Sequence, residues 1–129
     1  MLLVLRPMRT IRSSRPVRFA PPLLMMILIF ALSAQPHLNS GLGIWDTILR
    51  KGAHMIEYGL LWRLWWGALD RRRPLLAVGI ALAYAATDEF HQRYVAGRHG
   101  SPWDWAIDAV GVAIAILIVV RKRGWQALA

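Results

Sequence analysis

The sequence predicts an all-α protein, a four-helix transmembrane bundle with its N-terminus and its C-terminus in the cytoplasm. Three observations predict this fold. The hydrophobic fraction is 57% of 129 residues, above the roughly 45–50% of soluble domains. The apolar residues form four segments separated by proline, glycine or clustered charge, as membrane spans are. No segment shows the period-2 alternation of a strand.

Clusters of basic residues set the expected domain organisation. Residues 1–19 contain five arginines and no acid, which predicts a basic cytoplasmic arm at an anionic membrane surface. Residues 20–123 form the expected four-span membrane domain, and residues 124–129 form a short cytoplasmic tail. The basic clusters at 71–73 and 121–123 each follow an apolar segment, so the positive-inside rule places both in the cytoplasm.

The first span is expected over residues 20–34. Pro21 and Pro22 suit the first turn of a helix, where a missing backbone N–H costs little. A secretory signal peptide is the alternative interpretation, because an arginine-rich start precedes a short apolar run with small residues near its end. The sequence leaves open whether residues 1–34 are retained or cleaved.

The other three helices are predicted from their start and stop signals. The second is expected over 46–69, with Asp46 as the N-cap residue. The third is expected over 74–94 and starts on a first-turn proline. A glycine-containing loop follows. Ser101 and Asp104 then form a capping box for a fourth helix that reaches the terminal basic cluster.

Composition also excludes two classes of protein. The net charge is +9, but the basic residues cluster beside apolar segments instead of forming a stripe that follows a nucleic-acid backbone. No nucleic-acid partner is therefore expected. The chain has no cysteine, which excludes thiol nucleophiles, disulfides and thiolate metal sites.

Polar residues gather at one end of the predicted spans. At about 1.5 Å per residue from the cytoplasmic charges, Glu57, Asp88 and Asp108 all reach about 20–22 Å. Charges inside a span are expensive, so carboxylates at one depth on three helices predict an outward-facing polar site. The candidate residues come from the outer ends of the helices and from the third connection: Lys51, His54, Glu57, Tyr58, Asp88, Glu89, His91, Gln92, Arg98, Ser101, Asp104 and Asp108.

Several roles for this cluster stay open. A divalent metal is one, because i,i+3 pairs of histidine and carboxylate resemble the ligand spacing of helix-bundle metal sites. The candidate ligands are His54, Glu57, Asp88 and His91. Without a metal, His91 or Glu57 would be a general base. A chain of acids and histidines also suits a proton relay. In a purely structural role, i,i+3 pairs lock the bundle and Asp104 only caps its helix.

The order and spacing of these residues resemble the VanZ-like family of small bacterial integral membrane proteins. The motifs that carry the resemblance are Phe30-x-x-Ser33-x-Gln35-Pro36, Lys51-x-x-His54-x-x-Glu57-Tyr58, Asp88-Glu89-x-His91-Gln92, Gly97-Arg98-x-Gly100-Ser101 and Asp104-x-x-x-Asp108-x-x-Gly111. They span residues 30–111, and Ala96 stands where the family often has proline. The resemblance implies a multi-pass protein of the bacterial cytoplasmic (inner) membrane. The family's name comes from a member linked to teicoplanin, a lipoglycopeptide.

Two functions follow from the site and the resemblance. The first is binding of a cell-envelope lipid headgroup or a glycopeptide, with an effect on antibiotic sensitivity such as glycopeptide resistance. The expected partners are the lipid bilayer and a lipid-linked cell-wall precursor or lipoglycopeptide, with Lys51 and Arg98 contacting phosphate or carboxylate. The alternative is an outer-face hydrolase or group-transfer enzyme, with or without a metal, that uses the same side chains. The sequence leaves the ligand, any cofactor, catalysis and the oligomeric state open.

Overall fold

The computed structural model describes residues 15–36 and 41–129. Their four α-helices are α1 (Ala20–Ser33), α2 (Ile44–Ala68), α3 (Pro74–Gln92) and α4 (Pro102–Arg123). Short 3-10 turns, Val17–Phe19 and Trp125–Leu128, precede α1 and follow α4. The described residues contain no strand, so the prediction of an all-helical protein is confirmed.

Most helix starts follow their sequence signals. Pro21 and Pro22 lie in the first turn of α1, and Pro74 lies in the first turn of α3. Ser101 is the N-cap residue of α4, and its Oγ accepts a hydrogen bond from the Asp104 backbone N–H. Ser101 accepts a hydrogen bond from a backbone N–H that would otherwise be unpaired at the helix start, and the prolines have no N–H that needs a partner.

The start of α2 differs from the prediction, since Asp46 is not its N-cap residue. Gly43, at φ 60°, occupies that position, and the helix begins before Asp46. Asp46 lies in the first turn, where its carboxylate favours the positive end of the helix dipole. It also pairs with Arg50, one turn further along.

Contacts at both ends of α1 show that it runs parallel to α3. Near its start, Arg18 Nη1 lies 2.6 Å from Asp70 Oδ2, just after α2. At its other end, Ser33 Oγ donates to Asp88 Oδ2 at 2.9 Å, near the end of α3. The basic arm predicted over residues 1–19 lies mostly outside the described residues, and stays a prediction there.

Two polar pairs show that α2 and α4 are also parallel to each other. Lys51 Nζ lies 2.9 Å from Asp104 Oδ1, and His54 Nδ1 lies 3.2 Å from Asp108 Oδ1. Successive turns of α2 therefore meet successive turns of α4. With α1 parallel to α3, the four helices alternate in direction.

Glycines bring the backbones of α2 and α4 into contact just beyond these pairs. A Cβ atom at Gly111 would lie 2.3 Å from the carbonyl oxygen of Met55, and one at Gly59 would lie 3.0 Å from the carbonyl oxygen of Gly111. Small residues permit such close packing of helices. This contact fixes the spacing of the two helices that carry most of the polar pairs.

The apolar core fills the part of the bundle that lies away from the Lys51–Asp104 and His54–Asp108 pairs, which mark its polar end. Trp62 and Trp66 stack with their ring centroids 5.3 Å apart, and Trp62 Nε1 donates to the carbonyl oxygen of Pro74 at 3.3 Å. The buried core residues are Ile29, Tyr58, Leu61, Trp62, Trp66, Ala77, Ala81, Ala85 and Val112. The alanines recur every fourth residue, so α3 presents a narrow face to the large indole rings.

The outward surfaces of the helices are strongly apolar. Among the described residues, one helix, Pro102–Arg123, is long and apolar enough to cross a membrane, with a mean hydropathy of 2.0 and 22% of its apolar window buried. The apolar segment Val17–Ser33 is shorter. On α1, Leu24 and Ile27 are each 64% exposed. Soluble monomers rarely expose such contiguous apolar surface, so these features support a membrane protein.

Substitution of Gly111 tests the backbone contact. Gly111→Ala should destabilise the protein by about 1–3 kcal/mol, because the new methyl group would overlap backbone atoms of Met55. Gly79→Ala is the matched control, since a Cβ at this helical glycine meets no atom within 4 Å. Thermal unfolding in detergent measures both variants. Equal midpoints would contradict the contact.

Candidate functional site

A cavity of about 180 Å³ lies between α2, α4, the end of α3 and the loop at 93–101. Seven of the predicted site residues line it: Lys51, His54, Glu89, Gln92, Arg98, Asp104 and Asp108. The other lining residues are not among the predicted site residues: Thr47, Arg50, Gly97, His99 and Ile107. The structure thus brings residues from three helices and one loop around one small space.

Asp104 links the lining of the cavity to the start of α4. Its Oδ1 accepts from Lys51 Nζ, a half-exposed ammonium group, at 2.9 Å. Its Oδ2 accepts from Ser101 Oγ at 2.9 Å, while its backbone N–H donates to the same hydroxyl at 3.2 Å. Asp104 therefore does more than cap the helix, because it also holds a cation at the cavity.

The deepest polar pair of the cavity is His54 with Asp108. Asp108 is fully buried, and its Oδ1 lies 3.2 Å from His54 Nδ1. A carboxylate in this position fixes the orientation of an imidazole ring and favours its Nδ1–H tautomer. The other carboxylate oxygen, Oδ2, is buried and has no hydrogen-bond partner among the described residues.

Glu89 reaches the same pair from α3. It is 5% exposed, and its Oε2 accepts from the backbone N–H of Ser101 at 3.1 Å. One donor atom each from His54, Glu89 and Asp108 lie within 4.8 Å of one another. Within the described part of the chain, these three side chains form the group with metal-ligand spacing.

This group differs from the predicted metal ligands, of which it contains His54 alone. The three that lie outside it are Glu57, Asp88 and His91. Asp88 and His91 lie about 60° apart around α3, whereas Glu89 lies about 100° from Asp88. Asp88 and His91 both contact residues of α1, whereas Glu89 lies near His54 of α2 and Asp108 of α4.

Asp88 joins three helices instead of lining the cavity. It is 3% exposed, and its Oδ2 accepts from Ser33 Oγ at 2.9 Å, Tyr58 OH at 3.1 Å and Gln92 Nε2 at 3.3 Å. Ser33 is not among the predicted site residues. Its place in the Phe30-x-x-Ser33 motif is the signal that could have identified it.

Arg98 ties the loop to the end of α1. The side chain is buried, with Nε donating to the carbonyl oxygen of Gln35 at 3.3 Å and Nη2 to that of Leu32 at 3.2 Å. Carbonyl groups at a helix C-terminus favour a nearby cation. Burial, together with the charge of Arg50, lowers the pKa of the Arg98 guanidinium below its ordinary value.

Two further candidates, Glu57 and His91, do not line the cavity. Glu57 is half-buried and interacts electrostatically with His54, Asp88 and Asp108. His91 stacks on the Phe30 ring with the centroids 4.6 Å apart. These positions give Glu57 an influence on the charge of the site and give His91 a packing contact with α1.

Comparison with known protein families gives the chain its classification. A family model described as VanZ/LLP1 matches residues 4–123. The chain belongs to the VanZ/LLP1 family. The predicted resemblance is therefore confirmed, and every candidate site residue of this VanZ/LLP1 protein lies inside the matched range. No curated protein and no solved structure matches the chain.

The cavity of this VanZ/LLP1 protein combines groups of opposite charge. Lys51 and Arg98 supply cationic donors, whereas Glu89 and Asp108 supply buried carboxylate oxygens. His54 supplies a ring nitrogen whose orientation a carboxylate controls. Such a set can bind a group that carries both charge and hydrogen-bonding atoms, and a carboxylate-oriented imidazole can also transfer a proton.

Replacing the Asp88 carboxylate tests its role in joining the helices. Asp88→Ala should lower the free energy of unfolding by about 2–4 kcal/mol, because buried hydroxyl groups on two other helices lose their acceptor. Asp70→Ala removes an exposed carboxylate that pairs with Arg18, and should cost about 1 kcal/mol or less. Thermal unfolding in detergent compares them. An equally small effect of both changes would contradict this role.

Proposed function

We propose that this protein crosses the bacterial cytoplasmic membrane four times, with both termini in the cytoplasm and the cavity open to the outer surface. The alternating helix directions support this arrangement, because they place the basic clusters at 71–73 and 121–123 at one end and the cavity at the other. The positive-inside rule assigns the basic end to the cytoplasm.

The proposed role of the cavity is to bind the polar headgroup of a cell-envelope lipid, and thereby to affect sensitivity to envelope antibiotics. The observation that carries this proposal is a cavity lined by buried charges of both signs. Buried ionic groups rarely improve stability over apolar packing. A bundle that needed only stability would gain little from Glu89, Arg98 and Asp108 around an open space.

The size of the cavity favours a small polar group. Its volume of about 180 Å³ is below the roughly 300–1,000 Å³ of pockets that enclose drug-sized ligands. A phosphate or a single sugar unit fits this space, whereas a complete lipoglycopeptide does not. We therefore favour a lipid-linked cell-wall precursor, whose hydrocarbon chain would stay in the bilayer while Lys51 and Arg98 contact its phosphate.

Catalysis by the same residues is the second candidate function. The contact between His54 Nδ1 and Asp108 Oδ1 is the observation that favours it, since a general base is commonly oriented by a third group. In this role His54 would activate water or a hydroxyl group for attack on a phosphate. Hydrolysis or group transfer would then follow headgroup binding.

Single cysteines test the orientation, because the natural chain has none. His99→Cys, at an exposed position beside the cavity, should react with a membrane-impermeant maleimide on intact cells. Arg72→Cys, also exposed but in the α2–α3 connection, should react only after permeabilisation. The opposite labelling pattern would place the cavity in the cytoplasm.

Titration with a lipid-linked cell-wall precursor tests the ligand. Lys51→Gln should weaken binding about tenfold, or about 1.4 kcal/mol, because the phosphate loses a cation and the Asp104 carboxylate loses its partner. Lys122→Gln removes the same charge at the other end of α4 and should bind like the unchanged protein. Binding would be measured by tryptophan fluorescence in nanodiscs.

The same titration separates the alternatives. Equal affinities for Lys51→Gln and Lys122→Gln would contradict binding in this cavity, as would an absence of binding by the unchanged protein. Teicoplanin, titrated under the same conditions, tests direct glycopeptide binding. Release of phosphate from the precursor would identify the catalytic function.

A further inference from the structure

Two carboxylate oxygens at the base of the cavity have no partner. Glu89 Oε1 and Asp108 Oδ2 are both buried and accept no hydrogen bond from any described residue. Their side chains are 5% and 0% exposed, respectively. Leaving a buried acceptor unpaired costs about 1–3 kcal/mol, and more when it is charged. Both oxygens therefore point to a bound group that would satisfy them.

We propose that His54, Glu89 and Asp108 form a binding site for a divalent transition-metal ion such as Zn²⁺ or Mn²⁺. One imidazole nitrogen and two carboxylate oxygens are a donor set that such ions accept. The three donor atoms lie within 4.8 Å of one another. Bonds of about 2.0–2.2 Å place two ligands of one ion no more than about 4.4 Å apart. Small side-chain movements would therefore bring all three donor atoms within bonding distance of one ion.

The hydrogen bonds that the three ligand side chains make support this assignment. The Ser101 backbone N–H holds Glu89 Oε2, so Oε1 is the oxygen left for the ion. Asp108 Oδ1 lies 3.2 Å from His54 Nδ1, so an ion bound at Nδ1 would replace this contact and lie within reach of the Asp108 carboxylate, whose Oδ2 is unpaired. A hydrogen bond such as the one from Ser101 orients a ligand in protein metal sites.

The charge of the surroundings also favours a cation. Five carboxylates lie in or beside the cavity: Glu57, Asp88, Glu89, Asp104 and Asp108. The nearest cations have other partners, because Lys51 pairs with Asp104 and Arg98 donates to carbonyl groups of α1. A divalent ion would balance the two carboxylates that bind it, at a depth where uncompensated charge is costly.

The cavity leaves room for a further ligand on the ion. Three protein donors leave at least one coordination position open, and the adjoining space of about 180 Å³ can hold water or an oxygen of a bound group. The metal site does not depend on the identity of that group. It rests on the three side chains alone.

Binding of Co²⁺ to the full-length protein tests this proposal. The protein would be purified in detergent, stripped with a chelator and titrated with Co²⁺, whose d–d absorption reports the ligands directly. One ion should bind per chain, and Zn²⁺ should displace it. Asp108→Asn and Glu89→Gln should each weaken binding at least about tenfold, since each removes a charged ligand.

Asp70→Asn is the matched control. It removes an exposed carboxylate that pairs with Arg18 at the other end of the bundle, and should leave the Co²⁺ affinity unchanged because water and salt screen so distant a charge. Far-UV circular dichroism verifies that each variant is folded. Unchanged affinity in folded Asp108→Asn and Glu89→Gln would overturn the site, and so would an equal loss in Asp70→Asn. Because the probe is the metal alone, failure of headgroup binding cannot produce either result.

Discussion

The buried Asp88 carboxylate is the interaction on which the arrangement of the bundle depends. One of its oxygens accepts hydrogen bonds from side chains on α1, α2 and α3. A carboxylate removed from water needs such donors, so the three helices must keep the positions that provide them. The next residue, Glu89, points about 100° away around α3. Of these two adjacent acids, Asp88 therefore joins the helices and Glu89 lines the cavity.

The glycine contact between α2 and α4 determines how the cavity residues meet. Because the backbones touch at Met55 and Gly111, the residue just before Met55 and the residue one turn before Gly111 lie close enough to pair directly. The His54–Asp108 contact is the result. A wider helix spacing would separate these groups, and water would then screen their charges. Small residues in the packing are therefore a condition for the chemistry beside them.

Much of the architecture could be predicted, because helix starts and apolar periodicity are local properties of the sequence. Counting residues along a helix also predicted the common depth of the acids, but not the direction in which each one faces. As a result, the group around His54 contains Glu89 and not the predicted Asp88 and His91. The contact of Arg98 with α1 was also missed, since it depends on the path of a loop that periodicity does not describe.

The stacked indoles of Trp62 and Trp66 have a consequence for the distribution of charge in the bundle. Together with Leu61 and Val112 they fill the interior beyond the polar end. Arg63, which is half-buried on the same helix, lies over the Trp66 ring at 5.1 Å from its centroid. The two indoles therefore separate the acidic cavity at one end of the bundle from a layer of basic side chains at the other.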